Sequence, residues 1–303
     1  MNRIVSVILF GLLAASAHAD TAADEAFQNL ADKYLSDLTN FSPVYATMIG
    51  DHSADGELDQ VDAAGRTQSL DLLRKYQSAL EAIGRDELSR ANQVDAELLL
   101  HEIESSIWST EVLQEWAWNP LYYINISGGS IYSLLSRDFA PLEERLMSAA
   151  SRLEQLPRFL AQARGELVAN RVPKIHAETA IAQNAGLNSI IENMIVPQMG
   201  VLSSEQQEQL NAPIEMAKNA LADHQTWLEE ELLPRATGDF RVGAELYDTK
   251  LAFALNSPLS RKEITARAEQ EYEVESFLRE YNLYSLQDLT IHEGVPGHYL
   301  QIA

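Results

Sequence analysis

The sequence predicts a mainly α fold, a multi-helix array with little or no β-structure. Three observations predict it. Apolar residues recur at helical spacing along almost the whole chain. Serine and proline stand where helices would start. Alternating runs of the kind that make half-buried strands are nearly missing.

Taken in order, Phe27, Leu30, Tyr34 and Leu38 follow i, i+3, i+7 and i+11, which places them on one helical face. Leu73, Tyr76, Leu80 and Ile83 repeat the pattern, and Leu99, Ile103 and Ile107 stack at i, i+4 and i+8. Further helices run from about Pro141 to Leu156, Pro157 to Ala169, Lys174 to Ile195 and Ser204 to Leu233. Pro141, Pro157 and Pro173 suit helix starts, because a first-turn proline forfeits no hydrogen bond. Ser203 and Ser204 precede Glu205, an acidic residue for the first turn. Trp118 to Ile131, aromatic and carrying Gly128 and Gly129, reads as a loop, and Asp239 to Val242 as a short extended piece. Arg261 to Glu275 is a charged helix, after which Ser276 opens an aromatic and apolar stretch, Phe277 to Leu289. The predicted organisation is a leader over residues 1–19, a helical scaffold domain over residues 20–275, and a partial zinc-motif segment over residues 276–303 that packs on it. The amphipathic stripes read as core packing rather than as lipid or partner faces.

The leader has all three parts of a secretory signal peptide. Arg3 is its one charge, Ile4 to Leu13 is an almost unbroken apolar run, and Ala17-His18-Ala19 offers small residues before a cut at Asp20. The run is roughly half the twenty residues that a membrane span requires. Cleavage would remove one basic group and take the net charge from -23 to -24. Such an acidic surface repels nucleic acid and anionic membranes. Cysteine is absent, which excludes disulfides, thiolate metal sites, cysteine nucleophiles and a lipidated cysteine after the leader. The expectation is a protein secreted across the inner membrane into the periplasm, without nucleic-acid or membrane partners once the leader is removed.

The strongest chemical signal is Leu289-Thr290-Ile291-His292-Glu293-Gly294-Val295-Pro296-Gly297-His298-Tyr299-Leu300-Gln301. A His-Glu pair with a second histidine nearby is what zinc hydrolases use: imidazoles hold the ion and the carboxylate takes a proton from water. In the common arrangement the histidines are four apart. Here position i+4 from His292 is Pro296, and the second histidine stands at i+6. Six residues of regular helix rotate about 600°, or 240° net, so Pro296-Gly297 must bend the chain to bring the rings together. Asp288 lies four residues before His292, on the same helical face. It reads first as a solvated helical carboxylate, and alternatively as an acceptor behind a ligating imidazole or a substitute ligand.

The segment from His292 to Gln301 closely resembles the signature of the bacterial DUF885 family, a branch similar to the gluzincin-type helical zinc metallopeptidases. Phe277-Leu278-Arg279-Glu280-Tyr281-Asn282 resembles the family's lead-in to its zinc helix. Ser42-Pro43-Val44-Tyr45-Ala46-Thr47-Met48-Ile49-Gly50-Asp51 resembles its opening, and Asp95 to Glu102 its acidic helix. The resemblance implies that His292 and His298 ligate Zn²⁺, that Glu293 is the general base toward the bound water and later the proton donor to the leaving amine, and that peptides are the substrates. It also implies a third ligand from a downstream Glu-Gly-Trp-Ala motif, which these 303 residues do not contain, and a long segment before Ser276 where this sequence has none. Measured against the family, the sequence reads as an internally shortened, C-terminally truncated copy. Two protein ligands are fewer than the three of a catalytic zinc site, so weak zinc binding and little or no activity are expected of it alone. The competing reading is a catalytically silent helical periplasmic protein that binds a ligand or partner through its aromatic region.

Other candidates carry less. His101-Glu102 has Ser105 at i+4 and so lacks a second imidazole; it reads as a surface pair. His176 and Glu178 fall near a helix start, where a carboxylate suits the helix dipole. His52 and His224 stand alone. Trp116, Trp118, Tyr122 and Tyr123 could line a groove, but aromatics more often fill a core. No Gly-rich phosphate loop or nucleophile elbow is present. Substrate specificity and oligomeric state are not legible.

Overall fold

The computed structural model of the protein describes residues 22–279, with side chains as far as Tyr272. They belong to two units, one ending at Phe240 and one beginning at Arg241.

The first unit is an all-α array. Its helices are α1 (Ala22–Phe41), α2 (Pro43–Ile49), α3 (Ala63–Glu81), α4 (Arg90–Trp108), the single turn α5 (Glu115–Trp118), α6 (Pro120–Leu135), α7 (Leu142–Glu166), α8 (Lys174–Ile190) and α9 (Ser204–Trp227). The described residues contain no strand, only one isolated bridge between Pro173 and Gly238. Residues 239–243 are irregular, so the extended piece expected at Asp239 to Val242 does not form a strand.

Two layers of packing organise this unit. α1, α3 and α4 associate around Tyr34, Leu73, Tyr76 and Ile103, the stripes that the spacing predicts. Tyr34 and Tyr76 meet edge to face at 5.2 Å. Desolvation and the Glu102 charge push the Tyr34 phenol up to about 12. The larger core lies between α6, α7, α8 and α9, with α7 packed against both α6 and α9. Leu146, Leu153, Leu156 and Phe159 make α7 a buried stripe through this core. Each such side chain contributes about 1.5–3 kcal/mol by leaving water.

Helix starts follow local chemistry. Ser203 caps α9 by accepting a hydrogen bond from Gln206 N, while the Gln206 side chain accepts one from Ser203 N. Pro141 and Pro173 immediately precede α7 and α8, as expected. α4, α8 and α9 each end in one π-helical turn, at 109–113, 191–195 and 228–232. With those turns included, α8 and α9 match the expected spans.

Two expectations are corrected. Trp118 to Ile131 is not a loop: α6 starts there, with Pro120 in its first turn and the Asn119 side chain accepting from Leu121 N. Tyr123, Ser127, Ser130, Ile131 and Leu134 form its buried face, and this burial outweighs the cost of about 1 kcal/mol each for Gly128 and Gly129 within a helix. Pro157 does not start a helix either. It lies inside α7, which continues because Leu153, Leu156, Phe159 and Leu160 on both sides are fixed in the core.

The second unit contributes α10 (Ala244–Leu255) and α11 (Arg261–Arg279) to the described residues. Asn256, left-handed at φ 43°, ends α10. Ser260 and Glu263 cap α11 reciprocally, and these hydrogen bonds hold the Glu263 carboxyl below its usual range. α11 is exposed from Arg261 to Tyr272 apart from half-buried Ile264, and its backbone passes Ser276 without a break.

Candidate functional site

The sequence-predicted metal residues His292 and His298, the base Glu293 and the neighbouring Asp288 lie outside the described residues, as does the leader. Among the described residues, no group of three His, Cys, Asp or Glu side chains could hold a metal ion. The chemistry that the described residues do assemble centres on α7 and the segment leading from α2 into α3.

α7 has a polar face as well as its apolar stripe. Arg152 is buried near its middle and donates from Nε to the Glu57 carbonyl at 2.9 Å and from Nη1 to the Ser130 carbonyl at 2.7 Å. Its Nη2 donates to the Pro43 carbonyl at 3.1 Å and to the Thr47 hydroxyl at 2.7 Å. The Thr47 hydroxyl in turn donates to Asp55 at 2.6 Å. Desolvation pushes the guanidinium down to about 10, against the opposing pull of Asp55, Asp59 and Glu57. Further along α7, Gln155 accepts from Leu58 N, Gln162 accepts from Val61 N, and Glu166 accepts from Ala63 N. The segment is therefore strapped to α7 at every turn. Pro43, Ala46 and Thr47 of the opening motif are buried parts of this strap.

Strapping aims Asp59 inward. It is 8% exposed, with one oxygen accepting from Val44 N at 3.0 Å and the other from the Ser42 hydroxyl at 3.2 Å. Burial raises its pKa despite these hydrogen bonds. Asp59 lines a partly enclosed cavity of about 160 Å³ together with Phe41, Ser69, Thr110, Trp116 and Tyr122. Arg66 lies over the Trp116 ring at 3.7 Å and pairs with Glu166 at 2.6 Å, so its charge is already matched. Trp116 is fixed by donating to the Thr110 carbonyl at 2.9 Å. Burial and the Asp59 charge raise the Tyr122 phenol. A cavity of about 640 Å³ adjoins across Gln60 and Gly65, lined by Gln68, Gln155, Arg158 and Gln162. A larger groove of about 910 Å³ runs along α10 and α11, where Arg261 and Asp248 are paired at 2.9 Å.

The remaining histidines are placed singly. His101 is half-buried on α4 beside exposed Glu102. His52 binds Asp55 at 3.0 Å and stacks on Phe139. His176 stacks on Trp118, with its Nδ1 buried and unpaired, and Glu178 pairs with Lys174 at 3.5 Å. His224 is 2% exposed, stacked on Trp227, and pushed down to about 4 by burial. Tyr123 is core, donating to the Trp116 carbonyl at 2.6 Å, and Trp118 donates to the Leu113 carbonyl at 2.8 Å. Of the aromatic group, Trp116 and Tyr122 face the cavity. Sequence reasoning missed Asp59, Arg66 and Arg152. A signal existed for the last: arginines at 145 and 152, seven apart on an otherwise apolar stripe, predict buried cations.

The fold agrees with what comparison shows. The family described as "Bacterial protein of unknown function (DUF885)" matches residues 43–274, and the chain belongs to that family. A solved structure titled as a "putative lipoprotein of unknown function from Shewanella oneidensis" is similar to it, with a TM-score of 0.75 and 28% identity. The similarity covers 82% of this chain and 45% of that one, so the chain spans less than half the length of this relative. No curated protein matches the sequence.

Proposed function

We propose that this protein is an exported zinc metallohydrolase of the DUF885 type, a peptidase in which an activated water attacks an amide. The observation that carries the reading is the His292-Glu293 pair with His298 beyond a Pro-Gly bend. Two imidazoles and a carboxylate suit zinc, a borderline-soft dication that favours nitrogen and oxygen donors. Zn²⁺ supplies a Lewis acid for the scissile carbonyl when bound. His292 and His298 hold it, and Glu293 takes the proton of the attacking water and passes it to the leaving amine.

Export is supported by the leader pattern in residues 1–19 and by the description of the Shewanella structure as a lipoprotein. No described helix is long and apolar enough to cross a membrane. With two histidines and no downstream glutamate motif, residues 20–303 bind zinc weakly and turn over little peptide by themselves. The test is chelator-sensitive peptidase activity of that polypeptide beside its His292→Ala variant. Robust turnover would overturn the statement about the isolated polypeptide.

A second reading, a catalytically silent periplasmic binding protein, is favoured by the cavity under Trp116 and Tyr122. Zinc content separates the two: metal that a chelator removes and His292→Ala abolishes supports the hydrolase, and its absence supports the binding protein.

A further inference from the structure

We propose that the cavity between Asp59 and Tyr122 is a binding site for a primary ammonium group. Asp59 is more than nine-tenths buried, yet among the described residues no lysine, arginine or histidine lies within ion-pair distance of it. A carboxylate offers about four lone-pair sites, and Ser42 and Val44 fill two. The nearest cation on the cavity wall, Arg66, is taken by Glu166. Arg152 and Arg158 favour the Asp59 carboxylate from a distance without forming an ion pair with it. On the cavity wall it therefore keeps acceptor capacity to spare, and a cation joining it there would offset the cost of its burial.

The rest of the lining suits the same guest. The backbone N–H of Tyr122 is taken by the Asn119 carbonyl at 3.1 Å, but its hydroxyl makes no hydrogen bond among the described residues and can accept one from an N–H. Phe41 and Tyr122 are aromatic walls of the kind that attract cations. Ser69 and Thr110 add hydroxyl acceptors. A volume of about 160 Å³ admits the ammonium-bearing tip of a molecule, not a whole peptide. An anion is disfavoured by Asp59. The guest is an amine, either the α-ammonium of a peptide or a free alkylamine. This inference stands apart from the zinc reading, because none of its residues belongs to the metal motif.

The test is calorimetric binding to the full chain in the presence of a chelator, which separates its failure from that of the metallohydrolase reading. The probes are alanyl-alanine amide, its N-acetyl derivative and propylamine at pH 7. The amine probes should bind, and acetylation should weaken binding at least tenfold. Binding by both amines shows that the ammonium alone is read, and binding by the dipeptide amide alone shows that the site takes peptide N-termini; either supports the proposal. Asp59→Asn should lower affinity at least tenfold. Tyr122→Phe, which removes one oxygen and preserves the ring, should lower it several-fold while melting like the parent. Equal binding of the acetylated probe, no binding of either amine, or unchanged affinity in both variants would overturn it.

Discussion

The Arg152 guanidinium and the Thr47 hydroxyl meet at 2.7 Å inside the protein, and around that contact the segment joining α2 to α3 is folded onto α7. Arg152 serves three carbonyls and one hydroxyl in the interior, sharing the Pro43 carbonyl with the Thr47 hydroxyl. Leaving such groups unpaired costs about 1–3 kcal/mol each before relaxation.

Arg152→Met should therefore destabilise the protein by about 3–5 kcal/mol, the range for breaking a buried charged network. Arg152→Lys should recover only part of that, because an ammonium cannot reproduce the planar fork. Urea unfolding of both variants checks this. A loss below about 1 kcal/mol in Arg152→Met, the scale of one ordinary hydrogen bond, would show that the strap is not held by this residue.

Gly65 supports the cavity from the other side. A Cβ there would lie 2.3 Å from the Gln60 carbonyl oxygen, a contact that backbone must move to relieve. Gly65→Ala should cost about 2–3 kcal/mol, as overpacking does. Because Gly65 lines both cavities beside Gln60, the variant should also weaken amine binding. Thermal melting together with the calorimetric titration reads both effects.

His224 makes stability depend on pH. Its folded value is about 4, depressed by burial and further by Arg164, against about 6.5 when unfolded. Between those values the unfolded chain binds the extra proton, so stability falls as pH drops. The contribution is complete above pH 6.5 and is lost progressively toward pH 4, amounting to about 3 kcal/mol. His224→Phe keeps a ring against Trp227 and should flatten that part of the stability profile. An unchanged slope between pH 6.5 and 4 would place the sensitivity elsewhere.

How much was legible follows from which forces are local. The stripes Phe27 to Leu38, Leu73 to Ile83 and Leu99 to Ile107 were readable because one helical face buries them. α6 was misread because its aromatics and paired glycines resemble a loop, although Asn119-Pro120 is a helix start. Pro157 was misread because the first-turn rule describes where proline is harmless, not every place where core packing overrides its cost. At the site, Tyr122 stood among the aromatic candidates, whereas Asp59 was one carboxylate among 45 acidic residues. Only the strap on α7 brings those two side chains to one cavity, and no local pattern encodes that meeting.

The central claim, that this protein uses zinc held by His292 and His298, is tested most directly by metal content. The full chain and its His292→Ala variant would be dialysed to equilibrium against micromolar to millimolar zinc, with and without a chelator, and the bound metal measured by elemental analysis without desalting. The account predicts weak, saturable binding that approaches one chelator-sensitive ion per chain in the parent and its loss in the variant. Equal zinc in both proteins, or none in the parent, would contradict it.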